Sequence, residues 1–246
     1  MKKSILTAMA SLAAVFLLVS CAGKADAPGA GGEKQTAATM AGVIVALEEG
    51  SVLVAPEDGG LCWVNRDGAL TDFDDAQLAP GTKITVGFDG DVMESYPAQI
   101  ADVETVELQE GDDLAGLYLE VIDALWKVDS GLNGGAEYLA FNLSACDNLT
   151  AGEREAVGWM AASERGLTPL TGTFDELVEQ GYIDKEALYF EDGLLISFTN
   201  MEFSDRSFRF DAQKWRSGLG AYFFTDCTAK RGSDGWSYEI GGEAIS

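Results

Sequence analysis

The chain has 246 residues and contains no histidine. This absence excludes Ser-His and Cys-His catalysis, HExxH metalloproteases and zinc sites with histidine ligands. Without the two N-terminal lysines, 14 basic residues stand against 41 acidic ones, which is a net charge of −27. So large a negative charge argues against nucleic acid as a partner, because long-range attraction to phosphates is lacking.

The first 20 residues have the features of an export signal. Lys2 and Lys3 precede an apolar run over residues 5–19, which is too short to span a membrane as a helix. The run ends in Leu18-Val19-Ser20-Cys21, which resembles the lipobox of bacterial lipoproteins. The resemblance implies cleavage before Cys21, acylation of its thiol, and a lipid anchor on the extracytoplasmic face of the cell membrane. The alternative is an ordinary signal peptide followed by an unrelated cysteine.

Two folded domains are predicted after this signal peptide. Residues 21–39 are rich in Ala, Gly and Lys without periodicity, which indicates a flexible tether, because they cannot bury enough apolar surface to become ordered. Period-two patterns then change to helical spacing across residues 109–113. We therefore predict one domain over residues 40–109 and a second over residues 112–246, joined near Gly111.

The first domain is predicted to be a small β-barrel. Residues 42–47 and 51–55 are β-branched runs separated by three turn residues, a spacing typical of a hairpin. Residues 83–88 alternate strictly, and Asp89-Gly90 is a type I′ turn signal that predicts a returning strand. Five or six short strands with one apolar face favour a closed or partly open barrel, because closure removes exposed edges.

The second domain is predicted to be α+β, and so is the fold class overall. Asp112 or Asp113 precedes apolar residues at helical spacing, and Thr150 and Thr173 each begin a capping-box pattern. From residue 188 onward the pattern predicts strands. Helices followed by strands favour helices packed on an antiparallel sheet.

Two stretches resemble a known family. They are DGDVMESYPAQ at residues 89–99 and LAPGTKITV at residues 78–86. Both are similar to segments of the YobA-like family, an uncharacterised family of small β-barrel domains in bacterial lipoproteins. The resemblance covers residues 40–108 and implies an OB-like barrel. It implies no catalytic residue and no cofactor.

Two short aromatic segments are the possible ligand contacts. Tyr96 and Pro97 follow a predicted strand and could form a binding rim; the alternative is that Pro97 ends the strand and Tyr96 covers the barrel. Trp215 and Arg216 could form a stacking and cation–π site; the alternative is an aromatic cover over the sheet with Arg216 paired to a carboxylate.

Cysteine and carboxylate chemistry is less informative. Cys62, Cys146 and Cys227 fit no metal motif, so we expect buried thiols or a single disulfide, with Cys146–Cys227 the favoured pair. The acidic loop at residues 72–75 lacks the EF-hand spacing, so no metal site is predicted there. Five further carboxylates could supply an acid–base pair, although a chain this acidic always offers such pairs by chance: Glu153, Glu155, Glu164, Asp175 and Glu176.

Taken together, these patterns favour a membrane-anchored lipoprotein of the cell envelope that is not an enzyme. It would bind an envelope protein, peptide or glycan and would need no cofactor, metal or catalytic residue. The alternative is a carboxylate-dependent hydrolase that acts on envelope glycans or peptides.

Overall fold

This computed structural model describes residues 36–110, 113–204, 206–233 and 235–246, whose strands form two seven-stranded β-sheets. These residues are 45% strand and 19% helix, so the fold is mostly β and the predicted α+β class is wrong. The predicted signal peptide, the lipidation site at Cys21 and most of the predicted tether lie outside the described residues.

The first sheet begins with the predicted hairpin. β1 (Ala38–Glu48) and β2 (Ser51–Pro56) pair antiparallel, with Glu48 opposite Ser51. Gly50 between them has a φ of 74°, which glycine adopts without a Cβ penalty. The other strands of this sheet are β3 (Cys62–Asn65), β4 (Leu70–Thr71), β5 (Lys83–Phe88), β6 (Ala98–Ile100) and β7 (Val103–Leu108).

The predicted OB-like barrel is wrong, because this sheet is open. Its strand order is β4-β7-β5-β1-β2-β3-β6, and in the described part of the chain no pairing joins the edge strands β4 and β6. β4 has two residues and β6 has three, so neither is long enough to form a closing ladder. Both edge strands run parallel to their neighbours, which makes the sheet mixed.

The hairpin expected at Asp89-Gly90 is also wrong. Gly90 has a φ of 100°, as the turn signal requires, but β5 pairs with β1 and β7 instead of with residues 91–96. In that stretch the structure has one isolated bridge, from Met93 to Gln99. Gly90 has the expected positive φ, but Asp89 does not, so the predicted type I′ turn is wrong as well. The pairing of β5 follows from burial of its apolar face.

The second sheet is mixed, so the predicted antiparallel sheet is wrong. Its order is β13-β12-β11-β10-β8-β9, with β14 also paired to β12. β8 runs parallel to both β9 and β10. The strands are β8 (Tyr138–Asn142), β9 (Thr168–Thr171), β10 (Gly193–Ser204), β11 (Ser207–Ser217), β12 (Gly220–Arg231), β13 (Trp236–Glu239) and β14 (Gly242–Ile245).

Three α-helices lie in the described ranges, and each begins at a predicted cap. They are α1 (Leu114–Lys127), α2 (Ala151–Ser163) and α3 (Phe174–Glu179). The Asp113 side chain accepts a hydrogen bond from the Gly116 amide at the start of α1. α2 and α3 begin with capping boxes at Thr150 and Thr173. Because α2 and α3 connect the parallel strands β8, β9 and β10, helices and strands alternate here, which contradicts the expected order of helices first and sheet last.

Helix α2 packs against both sheets. Val43 and Val45 of β1 contact Ala156 and Met160 of α2, while Ile44 between them faces the other side of the first sheet. The barrel prediction assumed one apolar face per strand. Both faces of β1 and β2 are in fact buried, which is why their apolar residues form uninterrupted runs instead of alternating.

The start of α2 touches the end of β2. The Gly152 amide donates to the Glu57 carbonyl at 3.0 Å. A Cβ at Gly152 would lie 1.8 Å from the carbonyl oxygen of Pro56, so only glycine fits at this contact. The described residues belong to one compact unit. The predicted domain boundary near Gly111 lies outside the described residues and stays a prediction.

The two faces of the second sheet differ. One face packs against α1 and α2 through a core that contains Phe198, Phe208 and Phe224. On the other face, α3 covers Ala140 and Leu195 and leaves the rest of the face open. None of the helices in the described ranges has the length and hydropathy of a membrane span.

Candidate functional site

Strand β11 places Trp215 on the open face of the second sheet. Successive side chains of a strand point to opposite faces. Ala212 belongs to the core on the helix-covered face, and the Lys214 ammonium donates to the Val128 carbonyl below that face at 2.6 Å. Gln213 and Trp215 therefore lie on the open side, where both line a cavity of about 270 Å³.

The floor of this cavity consists of two rows of side chains that cross the strands. Leu195 and Trp215 are in register across β10 and β11, and we call them the apolar row. Two residues further along, Asn142, Ser197 and Gln213 are likewise in register, and we call them the polar row. The two rows lie roughly 6.6 Å apart, since a strand rises about 3.3 Å per residue.

Helix α3 completes one wall of the cavity with Phe174. The rings of Phe174 and Trp215 meet edge to face, with centroids 5.2 Å apart and planes at 77°. Such a pair is favourable because the positive edge of one ring meets the negative face of the other. Phe174 follows the Thr173 cap directly, so the capping box that begins α3 also sets the position of this wall.

Ser197 is the most unusual residue of the cavity. Its exposed fraction is 2%, yet no hydrogen bond joins its hydroxyl to any other described residue. Gln213 and Thr199 also line the cavity and likewise form no side-chain hydrogen bond to residues that the structure describes. The cavity therefore presents polar groups that a ligand could satisfy.

Arg216 lies apart from Trp215, although the two are adjacent in sequence. Its guanidinium donates to the carbonyl oxygens of Leu132, Gly134 and Glu191, each at 2.6 Å. Arg216 thus joins two loops through their backbone carbonyls and does not lie beside the Trp215 ring. Its partners are backbone carbonyls and not the carboxylate that the alternative interpretation expected.

Tyr96 and Pro97 lie next to the first sheet, at its contact with α2. Tyr96 is 78% exposed, and its hydroxyl donates to Glu155 of α2 at 3.4 Å. The Ser95 hydroxyl donates to the Pro97 carbonyl at 2.7 Å. These two residues do not line the cavity that contains Trp215.

A second cavity, of about 180 Å³, lies between β1, β5 and the start of α2. It contains an ion pair in which the Lys83 ammonium is 2.5 Å from Glu153. The other Glu153 oxygen accepts from the Thr150 amide at 2.9 Å and so completes the capping box. Glu153 is thereby committed to the helix start and to Lys83.

The remaining carboxylates of the hydrolase alternative also have structural partners. Glu155 accepts from the Gly60 amide at 2.6 Å. Glu176 caps α3, and hydrogen bonds from Thr173 lower the pKa of its carboxyl group. The last two carboxylates form ion pairs with basic side chains, Glu164 with Arg165 and Asp175 with Lys185. No observation singles out two of them as an acid–base pair.

Cys62, Cys146 and Cys227 are free, buried thiols, as the first of the two alternatives expected. Burial raises the pKa of Cys62 and of Cys227 to about 11 and that of Cys146 to about 12. These thiols are therefore protonated at neutral pH and are poor nucleophiles. Within the described ranges, no three cysteine, aspartate or glutamate side chains are grouped so as to hold a metal ion.

Comparisons with protein-family models, with curated proteins and with solved structures find no match to the chain. The sequence pattern indicates Trp215 as a possible ligand contact but does not indicate Ser197, Gln213 or Phe174. A signal for Gln213 was available, because residues 208–213 alternate between apolar and polar side chains once β11 is recognised as a strand.

Proposed function

We propose that the chain is a lipid-anchored binding protein of the cell envelope, without catalytic activity, that holds an uncharged polar group of its ligand in the cavity on the second sheet. The observation that carries this proposal is the cavity on the open face of the second sheet, where the side chains of Ser197, Thr199 and Gln213 form no hydrogen bond to any described residue. A ligand hydroxyl or amide could form hydrogen bonds with these groups, each worth about 1 kcal/mol.

The lining of the cavity supports an uncharged ligand. Its residues are Leu195, the aromatic pair, two hydroxyl residues and two amide residues, and none of them ionises near neutral pH. A charged ligand group would lose its hydration without gaining an opposite charge. The net charge of −27 disfavours anions further.

The lipid anchor at Cys21 remains part of the proposal on sequence grounds alone. The lipobox resemblance supports it, as do the basic start and the short apolar run that precede it. An anchored binding module would reach its ligand in the envelope through the proposed tether.

Binding can be tested with ¹⁹F NMR on the full chain labelled with 5-fluorotryptophan. The protein should be held in a zwitterionic detergent, because detergents with sugar headgroups would compete for the site. The Trp215 resonance is assigned by its loss in Trp215→Phe, and Trp63→Phe on β3 is the matched control. We expect the Trp215 signal to move when uncharged methyl glycosides or capped amino-acid amides are added, and the compounds to be recovered unchanged.

Two results would contradict the proposal. If neither class of compound moves the Trp215 resonance up to its solubility limit, the cavity is not a binding site. If mass spectrometry finds a hydrolysis product that the buffer blank lacks, the protein is an enzyme and the hydrolase alternative gains support.

A further inference from the structure

We infer that the group held in the cavity is a neutral sugar ring at the end of a glycan; this inference rests on the proposed binding function and names its ligand class. Four properties of the cavity point to it. They are the division of the floor into apolar and polar rows, the kind of polar groups present, the volume, and the position of the cavity on the face of the sheet.

The division of the floor requires a ligand that is itself apolar on one side and polar on the other. Trp215 and Leu195 in the apolar row, together with the Phe174 wall, offer surfaces for C–H groups. Ser197 and Gln213 in the polar row lie roughly 6.6 Å away along the strands. A pyranose ring has this character, with C–H groups on its faces and hydroxyls around its edge.

The polar groups match hydroxyls better than they match charges. A serine or threonine hydroxyl both donates and accepts, and a glutamine amide has two donors and an acceptor. A sugar hydroxyl also does both, so each can pair with Ser197, Thr199 or Gln213 in either direction.

The volume limits the occupant to one ring. Cavities for drug-sized ligands span about 300–1,000 Å³, and this one has about 270 Å³. The face beyond it stays open toward Phe223, which is in register with Gln213 on β12. A glycan can thus insert its last residue and leave the rest of the chain outside.

The position of the cavity argues against a peptide. Peptides commonly bind by adding a strand to a sheet edge, where unpaired backbone N–H and C=O groups are available. β10 and β11 are interior strands here, since β10 pairs with β8 and β11 while β11 pairs with β10 and β12. The cavity floor therefore offers side chains alone, which suits a ligand that has no backbone to pair.

The test uses the ¹⁹F assay on the full chain with three sets of probes. They are methyl β-glucoside and methyl β-N-acetylglucosaminide, glucuronate, and capped asparagine and phenylalanine amides. We expect the methyl glycosides to shift the Trp215 resonance at lower concentration than any amide. Glucuronate should bind at least about tenfold more weakly than methyl β-glucoside, because its carboxylate finds no cation in the cavity.

Variants of the polar row sharpen the test. Ser197→Ala and Gln213→Leu should each weaken glycoside binding by about two- to tenfold, which is the usual effect of losing one hydrogen bond. Ser51→Ala on β2 is the matched control and should leave binding unchanged. Melting curves should show that all three variants remain folded.

The outcomes separate this inference from the proposed function. If the amides shift Trp215 and the glycosides do not, the sugar inference is overturned while the binding function stands. If no probe acts, the binding function itself fails. Equal glycoside binding by native protein and by both polar-row variants would also refute the inference, because the ring would then lie elsewhere.

Discussion

Replacing Gly152 with alanine should loosen the contact between helix α2 and the first sheet. The added Cβ would lie 1.8 Å from the Pro56 oxygen and 2.5 Å from the Pro56 carbonyl carbon. Both are backbone atoms, so they cannot rotate away as a side chain could. The start of α2 must therefore retreat from β2.

The size of the effect follows from that geometry. Restoring a separation of 3.0 Å requires a shift of about 1.2 Å, which breaks the 3.0 Å hydrogen bond from the Gly152 amide to Glu57. Overpacking costs about 1–3 kcal/mol and the lost hydrogen bond about 1 kcal/mol. The higher helix propensity of alanine offsets up to about 1 kcal/mol of this loss in stability. We expect a net loss of roughly 2 kcal/mol in the free energy of unfolding.

Thermal unfolding followed by circular dichroism measures this loss. For a chain of this size, about 2 kcal/mol corresponds to a fall in Tm of roughly 4–8 °C. Gly131→Ala is the matched control, because a Cβ there meets only the Asp129 carboxylate at 3.8 Å. If Gly152→Ala melts together with that control, α2 does not dock on β2 as described.

Three other expectations concern separate parts of the chain. Burial lowers the pKa of Lys214 to about 8 from its ordinary 10.5, so between these pH values the unfolded chain binds a proton that the folded chain lacks. Urea titrations should therefore show the free energy of unfolding rising from pH 8 toward 10.5 relative to that of Lys214→Met. If the two proteins have the same pH dependence, this expectation is wrong. Gly90→Val should destabilise the fold by about 1–3 kcal/mol, because φ is 100° there, and an unchanged melting curve would count against the assigned backbone. Cys21→Ala should abolish incorporation of a fatty-acid analogue, and continued labelling would place the lipid elsewhere.

Local features of the fold were the predictable ones. The hairpin at Gly50, the caps at Thr150 and Thr173 and the helix after Asp113 all depend on residues close together in sequence. The arrangement of the strands depends on distant partners. The sequence around β1 does not say that α2, more than a hundred residues later, covers Val43 and Val45, and so the barrel was the wrong inference.

The site was only partly predictable for the same reason. Trp215 stood out as a large aromatic beside charged residues, but its neighbour Arg216 points to the opposite side, toward Leu132 and Gly134. Ser197 carries no signal in the sequence, since a serine within an apolar strand is commonplace. Its importance comes from its register with Gln213 and from the lack of a partner for its hydroxyl among the described residues.

The position of α2 also has a consequence for synthesis. The ribosome completes the last strand of the first sheet at Leu108, whereas the helix that buries its second face ends at Ser163. At about 5–20 residues per second, the interval is roughly 3–11 s. During this interval α2 does not yet cover the apolar side chains of Val43, Val45 and Leu53. A nascent chain at this stage exposes an apolar, strand-rich surface that favours aggregation. Substitutions on the apolar side of α2 should therefore lower the yield of folded protein by more than their effect on the melting temperature would predict.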